Sequence, residues 1–290
     1  MAIFMFIGVV FKNKITKQTM FVEFWGNKEK KYKNFFKGKN IVITGASSGI
    51  GKCLHEKLAK YDVNLFLIAR SFNSKNEGNK NFYKCDAGNY KNVKDIFTDI
   101  KNQTEHLDII VHSAGVGDWK YLTEMNYLEI ENSINAPLMS SIYTTKEFLE
   151  NWNGVKEKKI IFINSPAVIQ PWMSSTLYST SRWGMHGFSE ALKMDYYDKN
   201  LVVQENILGK INSTYFVNNP ECIKRMPSIS RIIPELEVEE ASDFIIDKMV
   251  SNNQRNIFPF MLKFINFLHY YFPSIVKYFI FKLAFLKEAK

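Results

Sequence analysis

The sequence predicts an α/β protein built on a doubly wound parallel sheet, as one domain with hydrophobic extensions at both ends. Three observations carry this. Short apolar runs recur at Asn40–Thr44, Asn64–Ala69, Asn81–Tyr83, Leu107–His112, Lys159–Asn164 and Leu201–Ile207. The stretches between them read as helices long enough for crossovers, and that alternation produces parallel sheets covered on both faces. A glycine-rich turn, Thr44-Gly-Ala-Ser-Ser-Gly-Ile-Gly51, separates the first run from a helix expected over Lys52–Lys60. No internal repeat or second domain interrupts the pattern, and 290 residues, 46% of them hydrophobic, suffice for one large core.

The expected division is an extension over 1–38, the α/β domain over 39–254 and an aromatic segment over 255–290. Residues 1–11, MAIFMFIGVVF, are apolar but too short to cross a bilayer, which takes about 20 residues. They lack a cleavage site of small residues, so a membrane-dipping anchor or a disordered tail is expected. The Lys-rich residues 12–38 read as a tether. Thr214–Pro234 carries three prolines and reads as a lid or loop excursion, and Glu235–Val250 resumes as a helix with acids in its first turn. Ile257–Leu286 holds eleven aromatic residues, with lysines at 263, 277 and 282. It reads either as an interfacial helix with snorkelling lysines or as a helix packed on protein.

The formal net charge of +9 is concentrated before residue 40 rather than in a nucleic-acid-like block, so no nucleic-acid partner is expected. Cys53, Cys85 and Cys222 are too few and scattered for a disulfide framework or a zinc site, and no metal is expected. With 24 Phe and 14 Tyr, a binding cavity is expected to be apolar.

The glycine turn has the composition that a pyrophosphate needs. Glycines allow the tight bend and the close backbone approach, and the helix N-terminus offers free N–H groups. At the end of the second run stands Arg70 rather than an acid. An acid there would bind a ribose 2′-OH, whereas an arginine pairs with a 2′-phosphate and favours NADP(H) over NAD(H); Ser47 can add a hydroxyl to the same group.

Further motifs follow in order. Thr44-Gly45-x-x-x-Gly49-x-Gly51, Cys85-Asp86, Asn135 in Ser-Ile-Asn-Ala-Pro, Ser165 in Ile-Asn-Ser, Tyr178 thirteen residues later, and Gly187-Phe-Ser-Glu-Ala-Leu192 follow one another within residues 39 to 250. On these motifs the sequence resembles the short-chain dehydrogenase/reductase family. The resemblance implies a Rossmann-like fold, a nicotinamide cofactor and reversible carbonyl–alcohol chemistry. It implies that Tyr178 is the acid in reduction and the base in oxidation, that Ser165 holds the substrate oxygen and that Asn135 holds a relay water. It places the cofactor against Gly45, Ser47, Ser48, Gly49, Ile50, Gly51, Arg70, Asp86, Ala87, Ser113, Ala114, Gly115, Tyr178, Arg182, Gly209, Ile211 and Ser213. Family members commonly form dimers or tetramers, so a homo-oligomer is expected.

Three positions depart from the family pattern. Arg182 stands where the family has lysine, four residues after Tyr178. It keeps the positive charge that favours a phenolate and can reach the nicotinamide ribose, but it does not release a proton, so a relay through this position is impaired. His112-Ser113-Ala114-Gly115 replaces Asn-Asn-Ala-Gly, and Leu208-Gly209 replaces Pro-Gly. His112 at a strand end reads as structural rather than catalytic.

Two functions stay open at this point. One is an NADP(H)-dependent oxidoreductase acting on a steroid, a retinoid-like molecule or a long-chain keto-lipid. The run Gly49-Ile-Gly-Lys-Cys53 resembles the ketosphinganine reductase branch. The other is a nucleotide-binding scaffold impaired by Arg182. The apolar ends favour peripheral membrane contact, with the cytosolic face of the endoplasmic reticulum as the expected location and the cytoplasm as the alternative.

Overall fold

In the computed structural model the described residues are 26–115, 117, 119–213, 222, 225–226 and 233–288. The apolar stretch at 1–11 and most of the excursion at 214–234 lie outside them. An eight-stranded sheet forms the centre, in the order β10-β7-β6-β5-β1-β2-β4-β3. Its strands are β1 Lys39–Thr44, β2 Val63–Ala69, β3 Lys75–Glu77, β4 Lys80–Lys84, β5 Ile109–His112, β6 Lys158–Asn164, β7 Leu201–Leu208 and β10 Arg255–Phe258. All pairings are parallel except that of β3 with β4. Between β7 and β10 the short strands β8 Ile211–Asn212 and β9 Leu236–Glu237 pair with each other.

Side chains alternate along each strand, so each strand supplies both faces of the sheet. Ile41, Ile43, Leu65, Leu67, Val111 and Ile161 face one helical layer. This layer contains α1 (26–36), α2 (Gly49–Leu58) and α7 (Val238–Met249). Val42, Phe66, Ile68, Ile110, Ile160 and Phe162 face the other. There lie α3 (Tyr90–Gln103), α5 (Ser140–Leu149) and α6 (Thr176–Asp195), with α4 (Tyr127–Ile134) running into α5 through a π-turn at Asn135–Met139. The chain winds outward from β1 through β2 to β4, then returns to β5 and winds the other way. The crevice at the carboxyl ends of β1 and β5 is therefore the switch point, where such sheets bind ligands.

Two expected boundaries differ from the structure. Residues 26–36 form a helix on the core rather than part of a tether. Its apolar stripe, Tyr32 and Phe36 one turn apart, is interleaved with lysines and is inconspicuous in composition. The Tyr32 hydroxyl donates to Asp247 Oδ1 (3.0 Å) and Lys28 pairs with the same carboxylate (3.3 Å), fastening α1 to α7. At the other end, β10 continues the sheet beyond residue 254, pairing with β7 from Arg255↔Glu205 to Phe258↔Leu208.

The C-terminal segment forms α8 (Phe260–Tyr271) and α9 (Pro273–Glu288). Leu262 and Ile280 are buried, while Phe260, Phe264, Phe267, Tyr270, Tyr278 and Phe279 are exposed. No described helix is long and apolar enough to cross a membrane.

Candidate active site

The turn after β1 places Gly45 and Gly49 at φ +67° and +50°, the left-handed region that suits glycine. A Cβ at Gly45 would lie 2.6 Å from the Ala114 nitrogen, and one at Gly51 2.4 Å from the Gly45 oxygen. The turn is thus closed on itself and against the end of β5, with Ala114 N–H donating to Thr44 Oγ1 (3.3 Å). α2 starts at Gly49, with no acid in its first turn and no side-chain cap from Ser48. Its N-terminus therefore presents N–H groups to an anion.

This turn borders a cavity of about 1050 Å³. Of the residues expected to meet a cofactor, Gly45, Ser47, Ser48, Gly49, Ile50, Arg70, Asp86, Ala87, Ser113, Ala114, Gly115, Tyr178, Arg182, Gly209, Ile211 and Ser213 line it. Gly51 does not; it sits behind the turn, where its missing side chain lets α2 approach. Arg70 is exposed at the end of β2, and the Asp86 carboxylate accepts the Gly88 N–H (3.0 Å).

Ser165, Tyr178 and Arg182 line the same cavity. Ser165 follows β6 and accepts the Ala167 N–H at Oγ (3.3 Å). Tyr178 and Arg182 lie one turn apart on α6, with the Arg182 guanidinium carbon 5.1 Å from the Tyr178 ring centre. Arg182 Nη1 donates to the Ile163 carbonyl (3.1 Å). Nη2 lies against Gly115, where a Cβ would come within 2.6 Å of it, and buried Nε has no hydrogen-bond partner. Asn135 is placed differently: its neighbours Asn132 and Ala136 line the cavity, while its Cβ and carbonyl pack against Gly88. Its carbonyl accepts the Ser140 N–H in the π-turn.

Sequence reasoning missed the residues that make the cavity wall apolar. Trp119 and Trp172 stand 5.7 Å apart, and Trp119 lies 5.8 Å from the Tyr178 ring. Cys222 and Met226 pack into the same cluster. These residues sit in connections without periodicity, so only their size marked them. Asn164, also on the cavity wall, looked like an ordinary strand end.

His112 is absent from the cavity lining. It is buried, with Nε2 2.9 Å from Thr145 Oγ1, and burial pushes its pKa down to about 3. An unfolded histidine titrates near 6.5, so acid favours unfolding as pH falls from about 6.5 towards 3. This term alone should lower stability by about 2 kcal/mol between pH 7 and pH 5. Urea unfolding at the two pH values should show a smaller difference for His112→Gln than for the wild type.

The residues present fit a nicotinamide dinucleotide. The glycine turn and the uncapped N-terminus of α2 border the cavity with N–H donors for a pyrophosphate, and the Arg182 guanidinium, lying against Gly115, borders the same cavity. When bound, such a cofactor supplies hydride transfer.

Comparison with known proteins places the fold and the family. Mouse 17-beta-hydroxysteroid dehydrogenase type 3 is 29% identical over 194 residues, 63% of this chain and 64% of that protein. Mouse 3-ketodihydrosphingosine reductase is 26% identical over 180 residues, 57% of this chain and 54% of that protein. The match thus spans less than two thirds of these relatives. A short chain dehydrogenase from Burkholderia cenocepacia in complex with NADP superposes with a TM-score of 0.69 at 16% identity, covering 84% of this chain and 98% of that one. ElxO with NADP bound gives 0.65 at 23% identity, covering 76% and 96%. The family model for short chain dehydrogenase matches residues 39–221, and the chain belongs to that family.

Proposed function

We propose that this protein is an NADP(H)-dependent oxidoreductase that interconverts a carbonyl and an alcohol on a hydrophobic substrate. The observation that carries the reading is one cavity whose lining includes the glycine turn and Arg70 together with Ser165, Tyr178, Arg182 and two tryptophans. Arg70 supplies a cation where a 2′-phosphate would lie. Ser165 donates a hydrogen bond to the substrate oxygen, Tyr178 gives or takes the proton on that oxygen, and Arg182 meets the nicotinamide ribose. Trp119, Trp172 and Met226 exclude water and accept an apolar body. The steroid and ketodihydrosphingosine named for the two mouse relatives suit such a wall.

Fluorescence titration with NADPH and NADH tests the cofactor. Tighter NADPH binding, with the preference lost in Arg70→Ala, is the expected result. Equal affinities that do not respond to Arg70 would overturn the NADP assignment.

A second reading, a nucleotide-binding scaffold, is favoured by one observation: the Arg182 guanidinium is already engaged by Ile163 and wedged at Gly115. Arg182→Lys separates the two. A slow wild type accelerated by this change points to an impaired relay, whereas a wild type already fast removes the scaffold reading.

The exposed aromatic residues of α8 and α9, flanked by Lys263, Lys277 and Lys282, support binding to an anionic membrane surface. The full chain should float with vesicles containing anionic lipid, and Phe260→Ser/Phe264→Ser/Tyr270→Ser should reduce flotation severalfold. Flotation unchanged by these substitutions would exclude this face as the anchor.

A further inference from the structure

Glu205 is a fully buried carboxylate on β7, next to β6 and β10. A buried charge is stable only when its oxygens are satisfied, so its partners show what it holds. Asn164 Nδ2 donates to Glu205 Oε1 (2.7 Å). His186 Nδ1 lies 2.9 Å from Oε2, and Arg255 Nε lies 3.9 Å from the same oxygen.

Asn164 passes this anchorage to the reaction centre. Its second Nδ2 hydrogen is donated to the Arg182 carbonyl (3.2 Å), while Oδ1 accepts the Ser165 N–H (2.9 Å). One amide thus ties the backbone of Ser165 at the end of β6 to the backbone of Arg182 on α6. His186, one turn beyond Arg182, closes the loop onto Glu205. Between them, Trp183 packs on the His186 ring and donates from Nε1 to the Ala167 carbonyl (2.8 Å). Glu190 also approaches, its carboxylate within 4.8 Å of the His186 and Glu205 ligand atoms. With Arg255 beside Glu205 and Lys193 paired to Glu190 (2.6 Å), the cluster is a hydrogen-bonded brace rather than a cation site.

We propose that Glu205 and Asn164 are positioning residues that set the placement of Ser165 and Arg182 relative to the nicotinamide half of the cofactor, with His186 holding the Glu205 carboxylate in register. The inference rests on the cofactor reading above. It predicts a defect confined to one half of the dinucleotide, because the glycine turn and Arg70 lie outside the brace.

The test compares NADPH with adenosine 2′,5′-bisphosphate, which lacks the nicotinamide half. Asn164→Ala and Glu205→Leu should weaken NADPH by about fivefold to tenfold, the scale of a lost hydrogen bond or two, and leave the bisphosphate within about twofold. Glu205→Gln, which keeps the shape and an acceptor for Asn164, should lie close to the wild type. Glu205→Leu strands His186 and Arg255 and can lower folding yield; Asn164→Ala removes the ties with the carboxylate still paired. Parallel loss of both ligands would reduce the brace to a structural role and overturn the proposal, as would folded variants that bind both like the wild type. A wild type that binds neither overturns the cofactor reading and this one with it.

Discussion

Tyr178→Phe should lower turnover by about 10³-fold and leave NADPH affinity within about threefold, because one proton donor is lost and little else changes. The ring that remains still packs against Trp119 and beneath the Arg182 guanidinium, so the cavity keeps its shape. Stopped-flow NADPH oxidation with a hydrophobic ketone, paired with fluorescence titration, separates the two quantities. Comparable loss of binding and turnover would place Tyr178 in the wall rather than in the chemistry. Retained turnover would remove it as the acid.

Gly51→Ala should weaken NADPH at least about tenfold and lower the melting temperature. The new methyl would meet the Gly45 carbonyl at 2.4 Å, and a backbone atom cannot swing aside as a flexible side chain can. Either α2 backs away or the turn opens, and both displace the N–H groups that would face a pyrophosphate. Gly187→Ala is the control: on α6 nothing lies within 4 Å of the added carbon, and the helix should gain roughly 0.5–1 kcal/mol. Thermal melts with and without NADPH check both. A Gly51→Ala protein that binds like the wild type would show that the turn is looser than its packing implies.

The central sheet was legible because its strands are buried on both faces and read as continuous apolar runs, as at Ile41–Ile43 and Ile160–Ile163. The glycine turn was legible because close backbone approach admits few residue types. What the sequence hid has a common cause: it depends on contacts distant along the chain. Tyr32 and Phe36 look like scattered aromatics until α7 is beside them. Arg255–Phe258 looks like the start of an aromatic tail until β7 supplies its partner. Asn164 and Glu205 are 41 positions apart, and nothing in either segment announces the pair. The tryptophan wall comes from connections whose paths obey no period. The resemblance placed Tyr178, Ser165 and Arg182 around one cavity, yet it could not foresee that Arg182 would use Ile163 and Gly115 as its seat.

The most direct measurement is a single turnover. The full chain in detergent, preloaded with NADPH, is mixed with a steroid ketone, a long-chain 3-keto-lipid and a small polar ketone in separate runs. Oxidation of bound NADPH with at least one hydrophobic ketone, absent in Tyr178→Phe, is the predicted result. Tight NADPH binding without oxidation by either hydrophobic ketone, or oxidation by the polar ketone alone, would contradict the account.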